Sequence, residues 1–173
     1  MLIDYDPSWP ARFEQLALEL RAHGDTTWTI EHIGSTAVSG MRAKPIIDLA
    51  VRIADLADLE RRRTALEARG WHVGSAVRSH SVMILTDGEH RVAIAHFFTA
   101  SEWETVNQRI LRDWLRAHAD DAALYERAKD AAARAAGEGT AGYNAAKTPV
   151  IQEIVDRARA ARGLEPVPVS DKS

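Results

Sequence analysis

Near the start of the chain, apolar positions recur three and four residues apart. Phe13, Leu16, Ala17 and Leu20 share one side of a helix that this spacing predicts to run through Ala22, with Gly24 as its stop. Ahead of it, Asp6-Pro7-Ser8-Trp9-Pro10 reads as a turn and a helix start. Ser8 is the expected cap, and Pro10 falls in the first turn, where a missing amide loses nothing.

The period then shortens. Trp28 to Gly34 is rich in strand-forming residues, and Pro45 to Ile53 is apolar almost throughout, as in a strand covered on both faces; Asp48 is its exception. Asp55 to Arg69 returns to helical spacing, with Leu56, Leu59 and Leu66 on one side, arginines on the other and Gly70 at the end. Three strands are expected at 71–74, 81–86 and 91–99, the last two joined as a hairpin through Asp87-Gly88-Glu89-His90. Beyond Ser101 the pattern is helical: 101–118 with a Ser-x-x-Glu start, 120–136, and 143–162, the last two separated by Gly137-Glu138-Gly139.

The expected fold is therefore α+β: a mixed five-stranded sheet with a crossover helix, flanking helices and a C-terminal helical layer. One domain is expected over 1–162, its core sheet over about 25–99 and its helical layer over 101–162, followed by a flexible tail at 163–173. A length of 173 residues fits one such body, and 46% hydrophobic against 27% charged residues is enough apolar material for a packed core. The net charge of −3 gives no general attraction to nucleic acid or anionic membrane, so nucleic acid is not an expected partner and any phosphate binding must be local. With no cysteine, thiolate metal sites and sulfur nucleophiles are excluded. No apolar run is long enough to span a bilayer and no leader pattern opens the chain, so the expectation is a soluble, cytoplasmic protein without a membrane partner.

The chemistry concentrates in His32-Ile-Gly34-Ser35-Thr-Ala-Val-Ser-Gly40-Met-Arg-Ala-Lys44-Pro45-Ile-Ile-Asp48-Leu-Ala50. Small residues at a turn let backbone amides and a hydroxyl approach phosphate oxygens. A lone carboxylate on the next strand can hold a divalent cation over the same phosphates. The ordinary alternatives are a simple strand-end turn for Gly34-Ser35 and an ion pair of Asp48 with Lys44 or a C-terminal arginine.

This run resembles the core signature of the GrpB family, a group within the nucleotidyltransferase superfamily. The resemblance extends to Tyr5 through Pro10, the strand ending in His96, Leu111 through His118, Tyr125-Glu-Arg-Ala-Lys129 and Tyr143-Asn-Ala-Ala-Lys147, and so covers positions 5 to 158. It implies a nucleotidyltransferase-like mixed sheet with a helical C-terminal layer, and relatives in which such a domain is joined to dephospho-CoA kinase. In the wider superfamily a Gly-Ser turn binds triphosphate, while two carboxylates one residue apart, with a third on a later strand, bind two metal ions.

The chain departs from that pattern. Asp48 matches the first carboxylate, but position 50 on the same face is Ala50, and the later strand offers His96, with Ile94 where relatives often have a second histidine. The resemblance thus implies one Mg²⁺ or Mn²⁺, or none, held by Asp48 and His96 with Glu31 or His32, since alternation alone does not say which of these two faces the site. Asp48 and His96 are the expected catalytic pair. Gly34, Ser35 and Lys44, together with Arg112, Arg116, Lys129, Tyr143 and Lys147, are the expected phosphate and nucleotide contacts. Arg112 with Arg116, Tyr125 with Lys129, and Tyr143 with Lys147 each share a helix face, which suggests a basic wall opposite Asp48; solvated or ion-paired faces are the alternative.

Three functions compete: a nucleotide- or phosphate-binding protein with metal-assisted nucleotidyl transfer to a small acceptor; a non-catalytic folding or regulatory partner with a degenerate site; and a small-molecule transferase or ligase using His96 or Glu31 as general base.

Overall fold

The computed structural model describes residues 2–74, 79–135 and 140–169, with the side chains of 135 and 140–145 outside the description. Helix α1 (Trp9–His23) leads into β1 (Thr29–Ile33), a short 3₁₀ turn (Ser35–Ala37) and β2 (Ile47–Ile53). Then come α2 (Leu56–Glu67), β3 (Trp71–Gly74), β4 (Ser81–Asp87) and β5 (His90–Thr99). A second 3₁₀ turn (Trp103–Thr105) precedes α3 (Asn107–Ala117), α4 (Ala119–Ala135) and α5 (Thr140–Ala160).

The five strands form one mixed sheet in the order β1-β2-β5-β4-β3. β2 pairs parallel to β5, and the other neighbouring pairs are antiparallel. The β4–β5 hairpin turns through Gly88, whose φ of +58° is a conformation that glycine adopts at little cost.

Strand alternation sorts β2 into two faces. Ile47, Leu49, Val51 and Ile53 join Trp9, Phe13, Leu20, Leu59 and Trp71 in the core beneath α1 and α2. Asp48 and Ala50 face the other way, toward the helical layer, where Ala50 packs with Ile33, Phe98, Trp103 and Val106. Val38, Met41, Leu115, Tyr125 and Ile154 bind that layer to the loop between β1 and β2. Among the described residues no helix is long and apolar enough to cross a membrane.

Two local expectations are corrected. Ser8 does not cap α1 through its side chain; its own amide donates to Asp6 Oδ1 at 2.8 Å, so the turn is tied from the acid side. The helix expected from Ser101 is broken at Val106, an extended residue buried against Ala50 and Phe98. Glu102, rather than a Ser101–Glu104 box, takes the amide of Thr99 at 3.0 Å, and α3 starts only at Asn107. Beyond α5, Gln152 bonds to the carbonyl of Val167 and the amide of Val169, both at 2.9 Å, and Arg159 to the carbonyl of Glu165. The Gly137–Gly139 separator lies outside the described residues.

Candidate active site

β1 ends at Ile33, and Gly34 turns the chain over β2 with φ +73°. A side chain there would fall on the Asp48 carboxylate, whose Cβ and Cγ lie 3.1 Å from the position a Cβ would take. Glycine is thus required twice, by its backbone angle and by its closeness to Asp48. Below the turn lies a cavity of about 200 Å³ between the sheet and the helical layer. Ile33, Gly34, Asp48 and His96 form its sheet side, and Gln108, Leu111, Arg112, Leu115 and Tyr125 its helical side.

His96 Nε2 stands 3.6 Å from Asp48 Oδ1. On its other side, His96 Nδ1 shares a 2.8 Å hydrogen bond with His80 Nε2, and His80 Nδ1 another of 2.8 Å with Ser79 Oγ. The His80 ring leans on Phe98 at 4.4 Å. A polar chain Ser79–His80–His96–Asp48 therefore runs into the cavity. Sequence reasoning missed His80 because it precedes the strand predicted from Ser81. Carrying the alternation of Val82 and Ile84 back by one step would have put position 80 on the face of His96.

The register settles the choice between Glu31 and His32. Glu31 pairs with Ala50, which pairs with His96, so all three share one face; His32 points to the other. Glu31 is not an open ligand, however. Its carboxylate accepts hydrogen bonds from Arg109 Nε and Nη2 at 3.0 and 2.9 Å and from Arg112 Nη2 at 2.7 Å. Burial opposes its ionisation, but these bonds and charges outweigh it and hold the carboxyl below its ordinary range. His32 stacks on Phe13, centroids 4.8 Å apart, and bonds through Nε2 to Thr36 Oγ1 at 2.9 Å. Burial pushes its pKa down to about 4.

Most of the expected basic wall is spent on joining the layers. Arg112 lines the cavity, yet it donates to the carbonyl of His32 at 2.9 Å and to Asp113 at 2.8 Å as well as to Glu31. Arg116 donates through Nε and Nη2 to the carbonyl of Ala37, at 2.9 and 2.7 Å. Lys129, 2% exposed, donates to the carbonyl of Arg42 and lies 5.0 Å over the Tyr125 ring; burial lowers its pKa to about 8. Lys147 is half-buried on α5 and adds its charge against that of Lys129. Ser35 Oγ reaches the Tyr125 hydroxyl at 3.4 Å, while Lys44 sits in the loop before β2 and is not one of the cavity's lining residues. The Tyr143 side chain lies outside the described residues.

Among the described residues no three His, Cys, Asp or Glu side chains gather as a ligand set. Two metals do not fit: position 50 is a methyl group with no exposure, and Glu31 is already neutralised by two guanidinium groups. The Asp48 carboxylate is the kind of oxygen donor a hard cation such as Mg²⁺ takes, with water and phosphate oxygens completing its shell, whereas the imidazole of His96 suits a softer divalent metal.

A mixed five-stranded sheet closed on the Asp48 face by helices is a nucleotidyltransferase-like fold. Terminal uridylyl transferase 4 from Trypanosoma brucei, solved with bound dUTP, superposes with a TM-score of 0.52 at 16% identity, over 95% of this chain and 57% of that one, a likeness of fold alone. The conserved protein GrpB from Enterococcus faecalis superposes with a TM-score of 0.78 at 23% identity, covering 91% of this chain and 98% of that one. The GrpB protein family model matches residues 1–157, and the chain belongs to this family. Curated UPF0157 proteins from Halalkalibacterium halodurans and Streptomyces coelicolor are 33% and 35% identical over 92% and 93% of this chain, and over 82% and 85% of their own lengths.

Proposed function

We propose that the chain binds a nucleotide or another phosphorylated small molecule in the cavity under Gly34-Ser35, with one Mg²⁺ or Mn²⁺ carried by Asp48 and His96. The carrying observation is the close approach of the Gly34 backbone to the Asp48 carboxylate, which leaves an acid facing a small-residue turn with no side chain in between. A cavity of about 200 Å³ is smaller than the ~300–1,000 Å³ of most ligand pockets, so it takes the phosphate end while sugar and base stay outside. Gln108, Arg112 and the Tyr125 hydroxyl are the polar groups on the helical wall that would orient that end. If the bound molecule turns over, the reaction class is nucleotidyl transfer to a small acceptor, helped by positioning and by neutralisation of phosphate charge.

A second reading, a non-catalytic folding or regulatory partner, is favoured by the sealed Ala50 and the neutralised Glu31, which remove the second metal. Thermal-shift measurements with nucleoside triphosphates and coenzyme A precursors, with and without Mg²⁺ or Mn²⁺, separate the two. At a hundredfold excess over Kd a ligand adds about 2.7 kcal/mol, a readily visible rise in Tm. The expected result is a metal-dependent rise in the wild type that Asp48→Asn abolishes. A rise of equal size in Asp48→Asn rejects the proposed site, and a flat panel leaves the partner reading standing.

A further inference from the structure

A second cavity, of about 450 Å³, lies behind the same turn, on the α1 side of β1. Segments far apart in the sequence build it. Tyr5, Pro10 and Phe13 come from the N-terminal turn and α1, His32 from β1, Thr36 and Ser39 from the loop after Gly34, and Arg116 from α3. The opening Tyr5-to-Pro10 motif, which has no part in the Asp48 cavity, thus meets one of the arginines expected to bind phosphate.

Two polar residues of the lining are buried. His32 and Thr36 are 8% and 1% exposed, and they are hydrogen-bonded to each other at 2.9 Å. Arg116 supplies the cation. Its Nε and Nη2 share the single carbonyl of Ala37, and among the described residues no carboxylate lies within ion-pair distance of it and no hydrogen bond of its Nη1 is found. Burial and the neighbouring Arg112 charge weaken its hold on its proton, whereas Asp113, Glu31 and Tyr5 strengthen it. Glu14, the acid of this lining, is exposed on the α1 wall, where water screens it.

The geometry points to a binding site for a small phosphate-bearing molecule in this second cavity, its phosphate seated on Arg116 and hydrogen-bonded by the Tyr5 and Ser39 hydroxyls. A guanidinium suits a phosphate because two of its N–H groups can meet two oxygens at once, and hydroxyls on other walls reach the remaining oxygens of a tetrahedral group. The site draws none of its phosphate contacts from the Asp48 cavity. It is nevertheless linked to it by the backbone: Arg116 grips Ala37, the last residue of the turn that begins beside Gly34, so occupancy behind the turn bears on the segment over Asp48.

Inorganic phosphate is the probe, titrated into the full chain at constant ionic strength and followed by amide NMR, with acetate and chloride titrated in parallel. Saturable shifts centred on Thr36 to Ser39 are expected, with phosphate saturating at lower concentration than acetate. Arg116→Lys, which keeps the charge but loses the fork, should weaken binding at least tenfold, and Tyr5→Phe, which removes one hydroxyl, should weaken it measurably. Asp48→Asn should leave it unchanged, so that failure here and failure of the Asp48 site are told apart. Shifts that match the chloride control, that centre on Asp48 and His96, or that persist undiminished in Arg116→Lys would overturn the assignment, as would acetate binding more tightly than phosphate.

Discussion

His32 illustrates how far a single side chain is set by its surroundings. Stacked on Phe13 and bonded to Thr36, it holds a proton in the folded protein only near pH 4, against 6.5 for an ordinary histidine. Between these values the unfolded chain binds the extra proton and the folded chain does not. Stability therefore falls as pH drops from 6.5 towards 4 and levels off below, by an amount on the order of 3 kcal/mol for a shift of this size. Glu31 and Asp113, whose carboxyls are held low, lose their contributions only at more acid pH, so the two windows are separable. Melting temperatures at pH 7.5 and 5.0 should differ clearly in the wild type and much less in His32→Gln. An equal drop in the variant would show that the proton is taken up elsewhere.

Between elements, β1 and α3 are joined by an ionic tie. Glu31 is held by two arginines from the same helix, and Arg112, 7% exposed, also reaches back to the carbonyl of His32. Truncating one partner of a fully buried pair costs about 3–5 kcal/mol; with a quarter of the Glu31 side chain exposed, Arg112→Ala is expected to cost roughly 2–4 kcal/mol. In a Glu31→Gln background the same truncation should cost less, and denaturant unfolding of the four proteins in the cycle measures the difference. Strictly additive losses would mean the contact carries no coupling. This tie also marks where sequence reading stops. Apolar runs placed all five strands and the α1 helix, because burial writes its period into the chain. Alternation left Glu31 and His32 undecided, since the helix that chooses the face arrives only at Asn107. Spacing by four shows that the side chains of Arg112 and Arg116, or of Tyr125 and Lys129, share a face, whereas the carbonyl of Ala37 or Arg42 that takes the Arg116 or Lys129 donor leaves no mark in the sequence.

As a whole, the molecule is a sheet enclosed from both sides, with the Asp48 face closed by helices that follow the sheet in the chain. Ile33, Ala50 and Phe98 are shielded there by Trp103 and Val106, so the segment 2–99 by itself would expose an apolar sheet face. Expressed alone, it is expected to bind hydrophobic dyes and to self-associate; a monomer with cooperative unfolding would show that the sheet is self-sufficient. The parallel pair at the centre has one more consequence, for the order of folding. The β4–β5 hairpin closes through a two-residue turn, an event of microseconds in isolated hairpins. β2 reaches β5 only after the chain has passed through α2, β3 and β4, so the loop-closure entropy is met before any central contact repays it. Hairpin first and β2 afterwards is the resulting sequence of events, and the strand that carries Asp48 is among the last to be locked in place.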